Sequence, residues 1–504
     1  MDLCNFLLYA ISSYVFIHVL VVFALKSSSS KTNLPPGPKG LPLVGNLLML
    51  GNRPHESLAN LSKTHGPLMT LHLGCLTTVV VSSAEMTREV LQKNDHTFSG
   101  RIVIDAATTL SHPEGSMVFA QLGPHWRTLR RICNTQMFNP AKLDALQGLR
   151  RRQIKQMIEH LHESYAAARA IDVGRCAFTT VLNLIWNMMF SVDLVDHKLG
   201  LAQELKDLVW ELMKIGGTPN LADYFPVLKP IDPQGLRRRT FKCFTKLHAI
   251  FDDKINQRLQ SRSSPSQFPR TNDLLDVLLD YCEDNGSDFR HEHIKPLFLD
   301  IFTAGTETSS TTIEWTMAEL LRNRHVLAKA QSEINEIIGR EQAVDESDIA
   351  RLPYLQAVVK ETLRLHPPVP FLIPHRADAT VELAGFTVPK HSQVLINTWA
   401  IGRDGHVWED PLSFSPERFL ESRVDFRGHD FQFIPFGAGR RICPGMPLAD
   451  RVVHLILASF LQSFDWKLPE GVTPECLDMQ EKLGITLNKV TPLLAIPCKF
   501  GSTT

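Results

Sequence analysis

The sequence predicts a mainly α-helical protein with a small β portion and one N-terminal transmembrane helix. Three observations carry this prediction: helical spacing of apolar residues over most of the chain, a few short alternating runs, and an uncharged stretch at the start. The chain has 504 residues, of which 44% are hydrophobic and 21% are charged. This is ordinary globular usage, which excludes a disordered chain, a collagen and a polytopic membrane protein.

The charge balance also restricts the partners. Lys plus Arg and Asp plus Glu each number 53, so the formal net charge is zero. A protein that binds nucleic acid through its phosphates usually carries a basic excess, so no nucleic-acid partner is expected. The nine cysteines are dispersed and form no C-x-x-C pair, which indicates reduced thiols in a cytosolic environment rather than a zinc site.

The N-terminal segment Leu3–Leu25 contains no Lys, Arg, Asp or Glu. As a helix it spans about 34 Å, enough to cross a hydrocarbon core of about 30 Å. A cleaved signal peptide is the alternative, with Val22-Phe23-Ala24 as a loose cleavage site, but the apolar run is longer than such peptides carry. Lys26, Lys31 and Lys39 follow the segment, so the positive-inside rule places the remaining chain in the cytosol.

These features predict three regions. Residues 1–25 form a membrane anchor helix, and residues 26–45 form a linker that ends in a proline-rich hinge. The hinge Leu34–Pro38 is stiff because its prolines favour an extended backbone. Residues 46–504 form one cytosolic domain.

Within that domain, apolar periodicity predicts mostly helices. Apolar residues at three-and-four spacing predict helices over Leu143–Glu163, Leu201–Ile215, Phe241–Gln260, Ile294–Arg322, Val326–Ile338 and Leu355–Leu365. Alternation predicts strands over Leu68–Leu73, Thr77–Ser82, Thr380–Val388 and Gln393–Asn397.

One cysteine lies in a setting suited to chemistry. Cys443 belongs to the glycine-rich run Phe436–Gly445, which precedes an apolar helix through Phe464. Backbone N–H groups and the helix dipole stabilise a thiolate there, which suits either a nucleophile or a ligand to haem iron. A nucleophile needs a nearby base, whereas the loop offers arginines, which suit haem propionates. A buried structural cysteine is the remaining alternative, and the glycines disfavour it.

Three further patterns accompany this loop. Glu361 and Arg364 lie three residues apart on a helix and can pair, although such a pair is often a solvated salt bridge. Residues 304–309, Ala-Gly-Thr-Glu-Thr-Ser, place small and polar residues within a long helix, where an ordinary glycine kink is the alternative. Trp126 and Arg130 lie four residues apart, so their side chains point the same way.

In their order along the chain, these motifs resemble the cytochrome P-450 superfamily. The set comprises the proline-rich hinge, W-x-x-x-R, A-G-x-E-T, E-x-x-R, P-E-R-F and F-x-x-G-x-R-x-C-x-G, and it covers essentially the whole chain. The resemblance implies the P-450 fold, with haem b between two long helices and a cysteine-ligand loop, so that 46–504 is a haem-thiolate monooxygenase domain. The spelling of the motifs is similar to plant terpenoid hydroxylases of the geraniol hydroxylase and ferruginol synthase branch.

The resemblance also implies roles for individual residues. Cys443 becomes the axial ligand of the haem iron. Glu307 and Thr308 match a relay that delivers protons during oxygen activation, and Ala304 and Gly305 leave room for dioxygen. The further cofactor-binding residues are Arg101, Trp126, Arg130, His375, Phe436 and Arg441. The structural triad that steadies the cysteine loop is Glu361, Arg364 and Arg418.

By the same resemblance the substrate pocket is apolar. Its walls include Phe119, Asp300, Ala304, Phe371, Ile373 and Ile485. Such a pocket fits a terpenoid better than a charged metabolite, although aromatic or alkoxy compounds such as coumarins also fit and give a second hypothesis. A third hypothesis is a non-oxygenating haem-thiolate isomerase or binder, which Thr308 with Glu307 disfavours.

The implied partners follow from the microsomal class that the anchor suggests. Electrons come from NADPH through a membrane-bound NADPH–cytochrome P-450 reductase, so NADPH is not bound by this chain. The other expected partners are dioxygen, an apolar small-molecule substrate and the endoplasmic reticulum membrane. A single-pass anchor in that membrane would place the catalytic domain on its cytosolic side.

Overall fold

The structure is a computed structural model that describes Ser13 and residues 33–195, 201–263, 270–271, 273–284 and 289–500. Across these ranges, no helix is both long enough and apolar enough to cross a membrane. The predicted anchor over residues 1–25 lies outside the described residues apart from Ser13, and so do residues 26–32 of the predicted linker.

The hinge at the end of the linker docks on the β portion of the domain. The carbonyl of Pro36 accepts a hydrogen bond from the backbone N–H of Thr70 at 2.9 Å. Gly37 lies so close to that strand that a Cβ in its place would stand 1.9 Å from the Thr70 carbonyl oxygen. The hinge therefore fixes the point at which the N-terminal part of the chain leaves the domain.

Helices make up most of the domain, which confirms the predicted class. In the described part of the chain, the α-helices run in chain order as α1 Pro54–His65, α2 Ala84–Arg88, α3 Asp95–Phe98, α4 His112–Gly115, α5 Pro124–Ile132, α6 Pro140–Ala145, α7 Gln147–Ala166, α8 Val173–Phe190, α9 Leu201–Gly217, α10 Leu221–Tyr224, α11 Leu236–Arg262, α12 Leu274–Asp284, α13 Ile294–Arg322, α14 Arg324–Ile337, α15 Glu346–Ile349, α16 Pro353–Leu365, α17 Thr398–Ile401 and α18 Met446–Ser463.

The strands are short and gather into small sheets. In chain order they are β1 Leu68–Leu73, β2 Leu76–Val81, β3 Gly100–Arg101, β4 Ile171–Asp172, β5 His375–Arg376, β6 Val381–Leu383, β7 Phe386–Val388, β8 Gln393–Ile396, β9 Asp465–Lys467, β10 Glu481–Leu483, β11 Leu487–Lys489 and β12 Leu494–Cys498. The largest sheet has the order β1-β2-β8-β5-β3, with β2 and β8 parallel and the other pairs antiparallel.

The predicted elements compare closely with these bounds. The predicted helix over 294–322 coincides with α13, and the predicted strand over 68–73 coincides with β1. The predicted strand over 380–388 is instead the hairpin of β6 and β7, because Ala384 and Gly385 both adopt positive φ and turn the chain.

The hydrophobic core surrounds α13, which packs against α8, α16 and α18. Trp186 of α8 and Trp315 of α13 are among its fully buried side chains. Helix α8 was not predicted, because it is buried on nearly every face and so shows no amphipathic period. The long central helix thus supplies a rigid wall on which a site can be built.

Candidate active site

A cavity of about 510 Å³ opens in the centre of the domain. Its wall is mainly apolar, and α13 crosses it. Every residue predicted to bind the cofactor lines this cavity: Arg101, Trp126, Arg130, Ala304, Gly305, His375, Phe436, Arg441 and Cys443. The structure therefore brings together side chains from five separate parts of the sequence.

The cysteine loop is closed by its own backbone. The N–H of Cys443 donates to the carbonyl of Phe436 at 2.9 Å, and α18 begins three residues after the cysteine. Gly437 and Gly439 have φ of 74° and 65°, a left-handed backbone that residues with a Cβ adopt only at a cost. The glycines of the motif are thus required by the shape of the loop.

Two effects oppose each other at the Cys443 thiol. Burial raises its pKa, while hydrogen bonds from the backbone N–H groups of Gly445 and Met446 and the charge of Arg130 lower it. Burial is the larger effect. These donors are nonetheless aimed at the sulfur, which is the arrangement expected where a thiolate binds a metal ion.

A wall of basic groups lies on the same cavity. Arg101 of β3 and His375 of β5 are directly paired across the two strands, so sheet register places both at the cavity. Arg130 donates to the Ile442 carbonyl at 2.5 Å, and Arg441 stacks on the Trp126 ring with its guanidinium carbon 4.6 Å from the ring centroid. Trp126 and Arg130, which were predicted to share one helix face, both line the cavity beside Arg441.

The basic wall has hydrogen-bond donors that could bind an anion. Arg101 and Arg441 donate to backbone carbonyls, Arg101 to Ile373 at 2.6 Å and Arg441 to Ala120 at 2.6 Å. The Nε of Arg101 is buried and finds no hydrogen-bond partner among the described residues. Burial and the neighbouring Arg441 lower the pKa of Arg101 to about 9. Carboxylates would relieve both the repulsion and the orphaned donor, so a ligand with two carboxylates fits this wall.

His375 can contribute a further donor to a bound carboxylate, depending on which of its ring nitrogens carry hydrogen. Its Nδ1 lies 2.6 Å from the carbonyl of Phe98, which can only accept, so Nδ1 carries the hydrogen. Burial and the nearby Arg101 lower the pKa of His375 well below its usual range. A carboxylate placed at Nε2 would favour the protonated ring and so add a further donor.

Helix α13 continues without a break through residues 304–309. Ala304 and Thr308 lie one turn apart and both line the cavity, with the Thr308 hydroxyl donating to the Ala304 carbonyl at 2.7 Å. A Cβ at Gly305 would meet Cδ1 of Ile185 at 2.5 Å. Its missing side chain lets α8 approach α13, and both Gly305 and Ile185 line the cavity.

The second predicted relay residue, Glu307, does not line the cavity. It lies about 100° around the helix from Thr308, and its Oε1 accepts from Nδ2 of Asn488 at 2.7 Å. Asn488 also contacts the hydroxyl of Thr486 at 3.2 Å, and Thr486 does line the cavity. Burial raises the pKa of Glu307, against the effect of the Asn488 bond. The carboxyl thus reaches the cavity only through other groups.

Glu361, Arg364 and Arg418 form one ion-pair cluster, in which Glu361 and Arg364 are fully buried. Arg364 donates to both carboxylate oxygens of Glu361, at 2.7 and 2.8 Å, and Arg418 donates to Oε1 at 3.0 Å. Arg364 also donates to the carbonyls of Gly402 and Pro411 at 2.5 and 2.7 Å. The cluster therefore ties α16 to the long irregular segment that leads to Cys443.

The predicted pocket residues all line the cavity: Phe119, Asp300, Ala304, Phe371, Ile373 and Ile485. Sequence reasoning missed the contribution of two helices, which supply Val181, Leu184, Ile185, Thr240 and Phe244. No motif marks these residues, and all of them except Thr240 are apolar like the ordinary core. Their place in the wall follows only from how α8 and α11 pack on α13.

Cys443 lies just before α18 and lines the same cavity as the basic wall and α13, an arrangement that fits the haem-thiolate class of proteins. The family model for Cytochrome P450 matches residues 35–495, and the chain belongs to that family.

Three curated relatives are similar along nearly their whole length. A geraniol 8-hydroxylase of Catharanthus roseus is 50% identical over 465 residues, 92% of this chain and 94% of the relative. A 7-ethoxycoumarin O-deethylase of Helianthus tuberosus is 47% identical over 485 residues, 96% and 97% of the two chains. A ferruginol synthase of Isodon rubescens is 44% identical over 473 residues, 94% and 96% of the two chains.

The chain is accordingly a cytochrome P450 monooxygenase, an oxidoreductase that uses a redox partner and dioxygen and acts on a small molecule. When bound, the haem supplies the chemistry that activates oxygen for insertion into the substrate. The protein itself sets access, orientation and the supply of protons.

Proposed function

We propose that this enzyme hydroxylates a plant terpenoid, a mono- or diterpenoid, with electrons from NADPH delivered by NADPH–cytochrome P450 reductase. The observation that carries the proposal is the cavity, whose wall around Ala304 is built from Phe119, Phe371, Ile373 and Ile485. Such a wall favours a hydrocarbon skeleton because burial of apolar surface supplies the binding energy. The relatives named for geraniol and ferruginol support the same substrate class.

In this proposal the cofactor is haem b, with Cys443 as the iron ligand. Arg101, Trp126, Arg130, His375 and Arg441 hold its two propionates, which meets the unused donor capacity of the basic wall. Phe436 closes the ligand loop through its carbonyl, and the cluster of Glu361, Arg364 and Arg418 steadies it. These side chains bind and orient the cofactor and take no part in proton transfer.

Thr308 is proposed to deliver protons, because its hydroxyl lies on the cavity wall one turn after Ala304. We expect Thr308→Ala to keep haem and substrate binding while product formed per NADPH falls about tenfold and hydrogen peroxide rises. Measurement of product, NADPH consumed and peroxide released in one assay checks this.

Thr312→Ala is the matched control, since Thr312 also lines the cavity and its hydroxyl donates to the Thr308 carbonyl at 2.8 Å. The control should stay coupled. Equal coupling in Thr308→Ala and the unchanged enzyme would show that another group delivers the proton.

Oxidation or O-dealkylation of aromatic and alkoxy compounds is the second candidate function. The relative named for 7-ethoxycoumarin favours it, and the same apolar wall would accept a flat aromatic ring. The experiment that decides is reductase-dependent turnover in microsomes with geraniol, an abietane diene and 7-ethoxycoumarin. Oxidation of the coumarin alone would replace the terpenoid proposal.

The reductase is proposed to dock where Arg127 and Arg131 project from α5. Trp126 on the same helix is buried at the cavity, whereas both arginines are exposed. We expect the double change Arg127→Glu with Arg131→Glu to raise the reductase concentration for half-maximal rate about tenfold at low salt. The effect should shrink with added salt, because the Debye length is about 10 Å at 0.1 M.

The matched control is the double change Arg152→Glu with Lys155→Glu on α7, which reverses the charge of two side chains that are also exposed. That variant should titrate like the unchanged enzyme. The carbon monoxide spectrum and peroxide-driven turnover should survive in both variants, since neither needs the reductase. An unaltered reductase titration in the Arg127 and Arg131 variant would move the docking surface elsewhere.

Residence on the cytosolic side of the endoplasmic reticulum membrane completes the proposal. The apolar run over residues 3–25 supports a single-pass anchor. Beside the hinge the domain exposes large apolar side chains, with Leu48 and Leu43 exposed at 75% and 50%. Ile231 is also exposed, at 66%. It follows α10, whose Tyr224 carbonyl accepts a hydrogen bond from the N–H of Cys75, in the turn after β1, at 2.9 Å. These residues would lie against the lipid surface.

A further inference from the structure

Besides its basic wall, the cavity has a polar corner formed by Asp300 of α13 and His112 at the start of α4. Both residues line the cavity, and both are at least nine-tenths buried. The Nε2 of His112 lies 3.2 Å from Oδ1 of Asp300. Among apolar neighbours such as Phe119 and Phe244, such a pair marks a point where the enzyme can distinguish a polar group on its substrate.

Asp300 is fully engaged within the protein. Its Oδ2 accepts from the Ser116 hydroxyl at 2.8 Å and from the backbone N–H of Val118 at 3.1 Å, while Oδ1 faces His112. The carboxylate therefore anchors the segment after α4 and orients the His112 ring. Its own oxygens are not left free to receive a substrate.

The His112 ring uses Nε2 to contact Asp300, so its second nitrogen, Nδ1, remains for another hydrogen bond. A carboxylate oxygen of Asp300 faces Nε2 of His112 as an acceptor, so Nε2 carries the hydrogen, and in the neutral form of the ring, which the proposal below requires, Nδ1 is an acceptor. Among the residues that the structure describes, this buried Nδ1 has no hydrogen-bond partner. Its surroundings are apolar: the rings of Phe119 and Phe244, both in the cavity wall, lie 6.1 and 4.8 Å from the His112 ring centroid.

An unpartnered polar atom in such a place costs free energy that a ligand can recover. We propose that Nδ1 of His112 accepts a hydrogen bond from a hydroxyl group of the substrate. The ligand class is then an apolar molecule with one alcohol, and in the context of the proposed function, on which this inference rests, a terpenoid alcohol. Asp300 acts as the positioning residue that fixes the ring.

The position of the pair also sets which end of the substrate is oxidised. Asp300 lies one helical turn before Ala304, about 6 Å along the axis, and two turns before Thr308. A hydroxyl held at His112 therefore leaves the far end of the hydrocarbon skeleton near Ala304 and Thr308. Oxidation should fall on a carbon remote from the hydroxyl.

The test uses His112→Gln in the haem-loaded enzyme. A glutamine amide can reach the position of Nε2 and keep the bond to Asp300, but it places no acceptor at the position of Nδ1. Binding is measured by equilibrium dialysis and by the substrate-induced spectral shift. The probes are geraniol, its deoxy hydrocarbon and its methyl ether, together with decanol and decane as a pair that is not terpenoid.

We expect His112→Gln to weaken binding of geraniol and decanol about five- to tenfold, which is the range for one lost hydrogen bond. Binding of the hydrocarbons and of the methyl ether, which has no hydrogen to donate, should change less than twofold. Geraniol oxidised by the variant should give a wider spread of product positions. Ser116→Ala is the control, because it removes a hydrogen bond to Asp300 but leaves Nδ1 of His112 in place, so it should affect alcohol and hydrocarbon alike.

Equal losses for alcohol and hydrocarbon in His112→Gln would overturn the inference and make the residue a part of the scaffold only. Turnover of terpenoids without any preference for the hydroxyl would likewise overturn it and leave the proposed function standing. Selective loss of decanol binding, with no terpenoid bound by the unchanged enzyme, would support the hydroxyl site and reject the terpenoid substrate.

Discussion

Cys443→Ser is expected to abolish the carbon monoxide difference band of a thiolate-ligated haem and to reduce turnover below detection. A serine oxygen cannot supply the electron donation that a thiolate gives the iron. The two N–H donors at Gly445 and Met446 would remain, so the loop itself should persist. Absorption spectra of the reduced, carbon monoxide-treated protein, with haem content measured separately, check the result.

Cys476→Ser and Cys498→Ser are the controls. Cys476 is exposed and Cys498 is half-buried on β12, and neither lines the cavity. Both variants should keep the thiolate band. A normal band in Cys443→Ser, or its loss in either control, would show that a different cysteine binds the iron.

Glu361→Gln is expected to have the largest effect on stability. Glu361 and Arg364 are fully buried, and Arg418 shares the same carboxylate. Removal of the negative charge leaves two guanidinium groups without their counter-charge, and breaking a buried ion pair costs about 3–5 kcal/mol. Domains are stable by only about 5–15 kcal/mol, so the variant should lose a large share of its stability, unfold at a lower temperature and yield less haem-loaded protein. Thermal unfolding and the yield of haem-loaded protein measure this.

Glu417→Gln is the matched control one residue away from Arg418. Glu417 is about half exposed and pairs with the exposed Lys329 at 2.9 Å. An exposed pair contributes about 0–1 kcal/mol, so this variant should fold and bind haem normally. A stable, haem-loaded Glu361→Gln protein would show that the cluster does not steady the cysteine loop.

Local spacing predicted those parts of the site that depend on one helix or one loop. Trp126 with Arg130, and Glu361 with Arg364, are neighbours because helical geometry makes them so. The Cys443 loop was identified from its glycines, and two of these do adopt positive φ. The roles given to Arg101 and His375 came from the family resemblance instead, because their pairing depends on the register of β3 with β5.

The remaining features depend on packing between distant segments. Gly305 was predicted to leave room for dioxygen, and its missing side chain also makes room for Ile185 of α8. Glu307 was predicted as part of a proton relay, and its carboxyl accepts a hydrogen bond from Asn488 on β11, on an adjacent face of α13 from Thr308. Neither partner is marked by a motif near the residue it touches. Sequence patterns report local order, and such side-chain orientations are set by tertiary contacts.

The long-range contacts of the basic wall have a consequence for synthesis. The carbonyl of Ser99 accepts a hydrogen bond from Arg441, which is synthesised 342 residues later. The carbonyl of Ile373 accepts a hydrogen bond from Arg101, which lies 272 residues earlier in the chain. At translation rates of about 5–20 residues per second, the first partner precedes the second by on the order of half a minute. The nascent chain thus exposes an unfinished apolar cavity through most of its elongation, and haem capture becomes one of its last assembly steps. Shortage of haem at that late moment, rather than slow translation, would then divert the chain into aggregates.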